Sequence, residues 1–140
     1  MIFVKKAVSV LALLALAACS GMMGGGSTVN VNLSGAQEVP PVATQASGSG
    51  SFTIAQDGSV SGSVSTSGMN AVAAHIHQGA RGQNGPVAVP LSKGADGSWS
   101  PAPGAKLNEA QMSAFKAGNL YVNVHSPSNK GGEIRDQLTP

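Results

Sequence analysis

Ser51 to Ser65 reads SFTIAQDGSVSGSVS, two runs of alternating apolar and polar residues on either side of an Asp-Gly pair. Side chains of an extended strand point alternately to opposite faces. Phe52 and Ile54 in the first run, and Val60, Gly62 and Val64 in the second, therefore each form one face, with Ser and Thr on the other. That is the pattern of a strand with one dry and one wet side. Asp57-Gly58 is the dipeptide that a two-residue hairpin turn requires, which predicts that the two runs pair antiparallel.

The same period recurs along the chain, and further strands are expected at Val29–Leu33, Val72–His77, Val87–Leu91, Ser98–Ser100, Leu120–His125 and Glu133–Leu138. Pro90 inside one of them predicts an edge strand, where its missing N–H breaks no ladder. One segment departs from this period. Asn108 stands as an N-cap with Gln111 three residues on, Leu107 and Met112 are placed for a hydrophobic staple, and Gly118 falls where a left-handed C-cap is wanted. A short helix over about Glu109–Ala117 follows. Eight or so short strands and one small helix make the fold all-β, an antiparallel sandwich or flattened barrel. Residues 29–138 suffice for one core, since a domain of roughly 110 residues buries about two-thirds of its unfolded surface. Its large fillers are few: Phe52, Trp99, Phe115 and Tyr121.

Residues 1–18 read as an address and not as part of the fold. Lys5 and Lys6 precede an apolar stretch from Ala7 to Ala18, shorter than the ~20 residues of a membrane-spanning helix but suited to a signal-peptide core. Leu16-Ala17-Ala18-Cys19 resembles the lipobox of bacterial lipoproteins, which implies a signal peptide over 1–18 and diacylglyceryl on Cys19 as the mature N-terminus. Ser20 in the next position implies the outer membrane as destination. The alternative is an ordinary cleaved signal with an incidental cysteine. Residues 19–28 then form a lipidated, Gly/Ser-rich tether whose last nine residues span roughly 15 to 18 Å as a flexible coil. Met22 and Met23 within it read as spacer, with contact to the membrane or to Cu(I) as the other possibility. Loss of Lys5 and Lys6 would leave the remaining Lys and Arg equal in number to the six Asp and Glu. A neutral chain offers no nucleic-acid surface, so nucleic acid is set aside as a partner. Cys19 is the only cysteine, so the domain has no disulfide and no thiolate ligand, and a metal would have to use nitrogen or oxygen.

All three histidines of the chain sit in two strand-like runs, AVAAHIH over Ala71–His77 and LYVNVH over Leu120–His125. Alternation puts His75 and His77 on one face with Ile76 on the other, and groups Tyr121, Asn123 and His125 against Leu120, Val122 and Val124. Were the two strands neighbours, three imidazoles would meet in a patch suited to copper, with zinc as the alternative. Asn123 is placed to hold an imidazole N–H, and Met69, on the same parity ahead of His75, to supply a soft extra ligand, although core or surface packing fits Met69 as well. The loop Gln78–Gly85 (QGARGQNG) reads as a glycine-dependent turn, or as one wall of a small-molecule or anion pocket. Glu133 and Arg135 share a strand face as candidates for a structural ion pair, and Glu38, ahead of Pro40 and Pro41, is a second candidate anchor for Arg135.

LSGAQEVPP at Leu33–Pro41, AHIHQGARGQNGPVAVPL at Ala74–Leu91, the Leu120–His125 run and GGEIR at Gly131–Arg135 together resemble the CHRD domain, a module named after its repeats in chordin and common in bacterial exported proteins. The resemblance covers nearly all of 29–138, implies an immunoglobulin-like or Greek-key β-sandwich, and implies little about chemistry. The histidine layout is also similar to that of copper-zinc superoxide dismutases, with a His-x-His strand, a late histidine and Arg135 after it. This chain departs from those enzymes in lacking a fourth, bridging histidine, a zinc-ligand loop and a disulfide.

The sequence contains no Gly-x-Ser-x-Gly elbow, no phosphate-cradling loop and no His-Glu-x-x-His, and it leans away from an enzyme. The leading expectation is an outer-membrane-tethered domain that binds copper through His75, His77 and His125 for storage, buffering or delivery. The rival is an adhesion or protein-interaction module, and the third reading is a superoxide dismutase-like enzyme.

Overall fold

Alternation along each strand sorts the chain into an interior of Val, Leu, Ile and Phe and an outer surface that is polar. The computed structural model describes residues 25–140. The signal peptide, the lipobox, Cys19 and most of the tether lie outside the described residues. The strands are β1 (Ser27–Ser34), β2 (Ser47–Ile54), β3 (Val60–Ser67), β4 (Ala73–Gln78), β5 (Val87–Lys93), β6 (Trp99–Pro101), β7 (Leu120–Ser126) and β8 (Asn129–Leu138), with helix α1 (Glu109–Lys116) before β7. Every pairing is antiparallel, and the order β1-β2-β3-β6-β5-β4-β7-β8 closes on itself as a barrel where Ser34 of β1 meets Arg135 of β8. β4, β5 and β6 are sequential neighbours, and β7 returns beside β4 after the excursion through α1. That arrangement is a Greek key.

The β2–β3 hairpin shows how the interior is filled. Phe52 lies opposite Gly62 and Val64 opposite Gly50, large against small, as a narrow barrel demands. The turn differs from the two-residue form expected. Gly58 N–H donates to Ala55 O at 2.9 Å, so Gln56 and Asp57 are the central pair and Gly58, at φ +91°, is the left-handed residue that follows them. The last ladder pair, Ile54 with Val60, leaves residues 55–59 between the strands, more than a two-residue loop. Pro90 is likewise not on an edge strand: β5 lies between β4 and β6. β6 reaches only Leu91–Lys93, however, so Pro90 has a strand partner, His75, on one side alone, and its missing N–H breaks no ladder.

The helix forms as its caps dictate. Asn108 accepts from Gln111 N–H at 2.8 Å and Gln111 Oε1 accepts from Asn108 N–H at 2.9 Å, a reciprocal capping box. Ala114 and Phe115 turn inward onto the core, and the chain leaves through Gly118 directly into β7. β7 is buried at every residue. Leu120, Val122 and Val124 fill the interior, while Tyr121, Asn123 and His125 face outward beneath the connecting loops.

Val64 has no exposed surface. Val64→Asp would place an unpaired carboxylate in the barrel at a cost of several kcal/mol against a typical total of about 5–15 kcal/mol. The variant should lose its cooperative unfolding transition in urea, and a native-like transition would contradict the inward assignment of that face.

Candidate metal centre

β4 and β7 are hydrogen-bonded neighbours with His77 opposite Tyr121, His75 opposite Asn123 and Ala73 opposite His125. His75 is therefore the diagonal neighbour of His125 on the same outer face, close enough for imidazoles to touch. One ring nitrogen from each of His75, His77 and His125 lies within 4.8 Å of the others. The tightest approach is His75 Nδ1 to His125 Nε2, at 3.0 Å. Two nitrogens bound to one tetrahedral ion at ~2.0–2.1 Å are roughly 3.3 Å apart, so this pair is already near ligating separation.

The two more buried rings are fixed from behind. His77, 9 % exposed, donates Nδ1–H to Gly85 O at 2.9 Å, and His125, 8 % exposed, donates Nδ1–H to Lys130 O at 2.8 Å. A carbonyl can only accept, so each Nδ1 carries the proton and each Nε2 presents a lone pair. The same outer-shell arrangement orients histidines in metal sites generally. His77 Nε2 is buried and has no hydrogen-bond partner. His77 is also stacked on Tyr121, with centroids 4.8 Å apart and planes 6° from parallel, and the Arg135 guanidinium lies 3.5 Å from the Tyr121 ring centroid.

Protons are kept off His75 and His77. Burial holds His75 below the usual imidazole value, and the neighbouring His125 and His77 add to the effect. Burial likewise lowers His77, helped by His125 and Arg135 and opposed by the Gly85 carbonyl and the Asn123 amide. Neutral imidazoles near pH 7 are the form that binds a metal ion.

Other expected residues fall elsewhere. Met69 precedes β4 in an irregular segment, where strand parity does not carry through, and its side chain packs against the hydrophobic core. The Nδ1–H groups of His77 and His125 are held by backbone carbonyls, whereas Asn123 lies beside His77 and its Nδ2 donates to Gly131 O at 3.2 Å. Glu133 and Arg135 form no pair with each other. Glu133 accepts from Ser126 and Asn129, both at 2.9 Å, whereas Arg135, 1 % exposed, donates to Ala80 O at 3.0 Å and Asn84 Oδ1 at 3.3 Å. The loop Gln78–Gly85 is thus a cover clamped onto the outer face, with Gly85 N–H also donating to Tyr121 Oη at 3.0 Å. The carbonyls of Gly85 and Lys130 went unforeseen because a backbone oxygen leaves no mark in a sequence. The Tyr121 parity with His125 was the one available sign of the stacking.

Fold and patch together define a small Greek-key barrel carrying three clustered imidazoles outside its core. The family model of the CHRD domain matches residues 29–138, and the chain belongs to the CHRD domain family. No match was found among curated proteins or among solved structures.

Glu38 adjoins this patch through Asn123. Gly132, at φ +125°, passes so close that a Cβ there would collide with both the Asn123 amide and the Glu38 carboxyl. Glu38 is 4 % exposed with Oε1 unpartnered, and burial pushes its pKa from 4.5 up to about 7, against the opposing pull of Arg135, the Asn123 amide and the Val39 backbone. Between those two pH values the folded state holds this proton more tightly than the unfolded chain. Stability contributed here therefore falls as pH rises from 4.5 to about 7, by on the order of 3 kcal/mol. Glu38→Gln should match the parent at pH 4.5 and exceed it at pH 8 in urea midpoint. Equal midpoints at pH 8 would show that Glu38 ionises freely in the fold.

Proposed function

We propose that this domain holds one copper ion, as cargo to be stored, buffered or delivered, on His75, His77 and His125. The observation that carries the reading is the bracing of the two buried rings. Each Nδ1–H is spent on a backbone carbonyl, each Nε2 is left with a lone pair, and that of His77 is buried without a hydrogen bond of its own. Leaving a buried acceptor unpaired costs roughly 1–3 kcal/mol, which a ligand to that nitrogen would offset. Among N/O/S sites generally, affinity for copper exceeds that for zinc, which supports copper as the ion and leaves zinc second. Among the described residues no Asp or Glu joins the cluster, so the donor set is all imidazole and a further coordination position stays free for exchange.

We further propose that the domain works at the outer membrane, tethered through lipid on Cys19. The support is the Leu16–Cys19 quartet and the Gly/Ser-rich stretch after it. Cys19→Ala should leave the domain folded and move the protein out of the membrane fraction or leave its signal uncleaved. Unchanged partitioning with normal processing would rule the anchor out.

Copper titration of the metal-free protein, under oxidising and under reducing conditions, tests the site. Binding should be equimolar and tighter than for zinc, and His77→Ala or His125→Ala should weaken it by at least about 100-fold, the upper end of what losing an outer-shell partner alone costs. Because burial holds His75 and His77 below the ordinary 6.5, protons should compete only at lower pH, placing the midpoint of pH-driven release below that value. Lack of equimolar binding in either condition, or binding that survives loss of His125, refutes the reading and favours an adhesion module.

A further inference from the structure

The three histidines are not equivalent, and the difference lies in where their protons are. His125 Nδ1 faces the Lys130 carbonyl, so in the neutral ring, the form that binds an ion, that nitrogen is protonated and Nε2 is an acceptor. His75 Nδ1, 3.0 Å from that acceptor, must therefore be the donor. His75 thus carries its proton on the nitrogen that an ion would need and plugs the lone pair of His125 with it. Its ring also lacks the restraints of the others. It is half-buried, meets His77 and His125 only edge-on at centroid distances of 5.4 and 4.8 Å, and has no backbone carbonyl on its Nδ1.

Resting on the proposed metal-binding function, we propose that His75 is the exchangeable ligand and gate of the cluster: arrival of the ion moves the His75 proton from Nδ1 to Nε2, while His77 and His125 keep their Nδ1–H tautomers throughout. The proton balance is closed. Nδ1–H passes its proton to water, water returns one to Nε2, and the freed Nδ1 lone pair joins His125 Nε2 on the ion with no net release from His75. The two nitrogens hardly need to change their separation, because 3.0 Å is within a few tenths of an ångström of the roughly 3.3 Å edge of a tetrahedral site, and the rings turn only enough to aim both lone pairs at the ion. Turning His75 to offer Nε2 instead would give up that placement. Reversal of the same step restores the His75–His125 hydrogen bond as the ion departs, so that bond competes with the ion for one lone pair. A gate of this kind suits handover to an acceptor approaching the exposed side of His75 and does not suit permanent retention.

Long-range proton–nitrogen correlation spectra of the histidine-labelled protein, before and after one equivalent of zinc as a diamagnetic probe, read the tautomers directly. The expected result is Nδ1–H on all three rings in the metal-free protein, then Nε2–H on His75 alone with coordination shifts at His75 Nδ1, His77 Nε2 and His125 Nε2. Coordination of His77 and His125 with His75 unshifted, or with His75 bound through Nε2, overturns this inference and leaves the metal site standing. Absence of a coordination shift on any ring overturns both. As a second arm, His75→Ala should still take up zinc and should release it to a chelator at least roughly tenfold faster than the parent. An unchanged release rate overturns the gate.

Discussion

A buried arginine is tolerable only if its surroundings are built around it, and Arg135 dictates much of the outer face of this barrel. With 1 % of its surface exposed, its guanidinium lies over the Tyr121 ring and is met by the carbonyl of Ala80, the amide oxygen of Asn84 and the nearby Glu38 carboxyl. Removing one partner of such a desolvated charge is far more costly than losing a surface contact. The arginine thereby fastens the loop over residues 78–85, and that loop delivers the Gly85 carbonyl that sets the His77 proton. Ring closure passes through the same residue, opposite Ser34. Scaffold and patch are thus joined at one side chain.

Two-residue alternation was enough to assign the faces of β3, β4 and β7, because a strand's periodicity is local and depends on nothing outside it. Which strand lies beside which is a different kind of fact. β4 and β7 pair across the excursion through β5, β6 and α1, and nothing in either segment encodes that adjacency or its register. The meeting of His75 with His125 was accordingly legible only as a condition. Two departures share a cause: the Asp57-Gly58 turn and the Glu133–Arg135 pair both follow from spacing alone, in places where the backbone leaves regular extension or a loop supplies better partners. Arg135 finds the Ala80 carbonyl and the Asn84 side-chain amide in a segment more than fifty residues away, and a backbone carbonyl is the same in every residue of a chain.

The patch also places unlike titrating groups side by side. Burial, as the largest cause, pushes the His75 and His77 imidazoles toward neutrality and the Glu38 carboxyl toward its protonated form, so these three groups favour their uncharged forms beside Arg135. A divalent ion arriving there would meet a low-dielectric surface in which each added charge is felt strongly by Glu38 and by the histidines alike.

β6 is short and pairs with β5 only over Leu91–Lys93, and prolines stand at the end of that pairing, Pro90 on β5 and Pro101 on β6. A row of unpaired N–H groups is the template on which sheets of separate molecules fuse. Proline offers no such group, so the stretch of β5 that β6 does not reach begins at a residue unable to recruit a second chain. Copies of this domain crowded together would be protected against cross-molecular strand exchange without any added charge or covering helix, a defence against aggregation written into two residues whose only contribution is the hydrogen they lack.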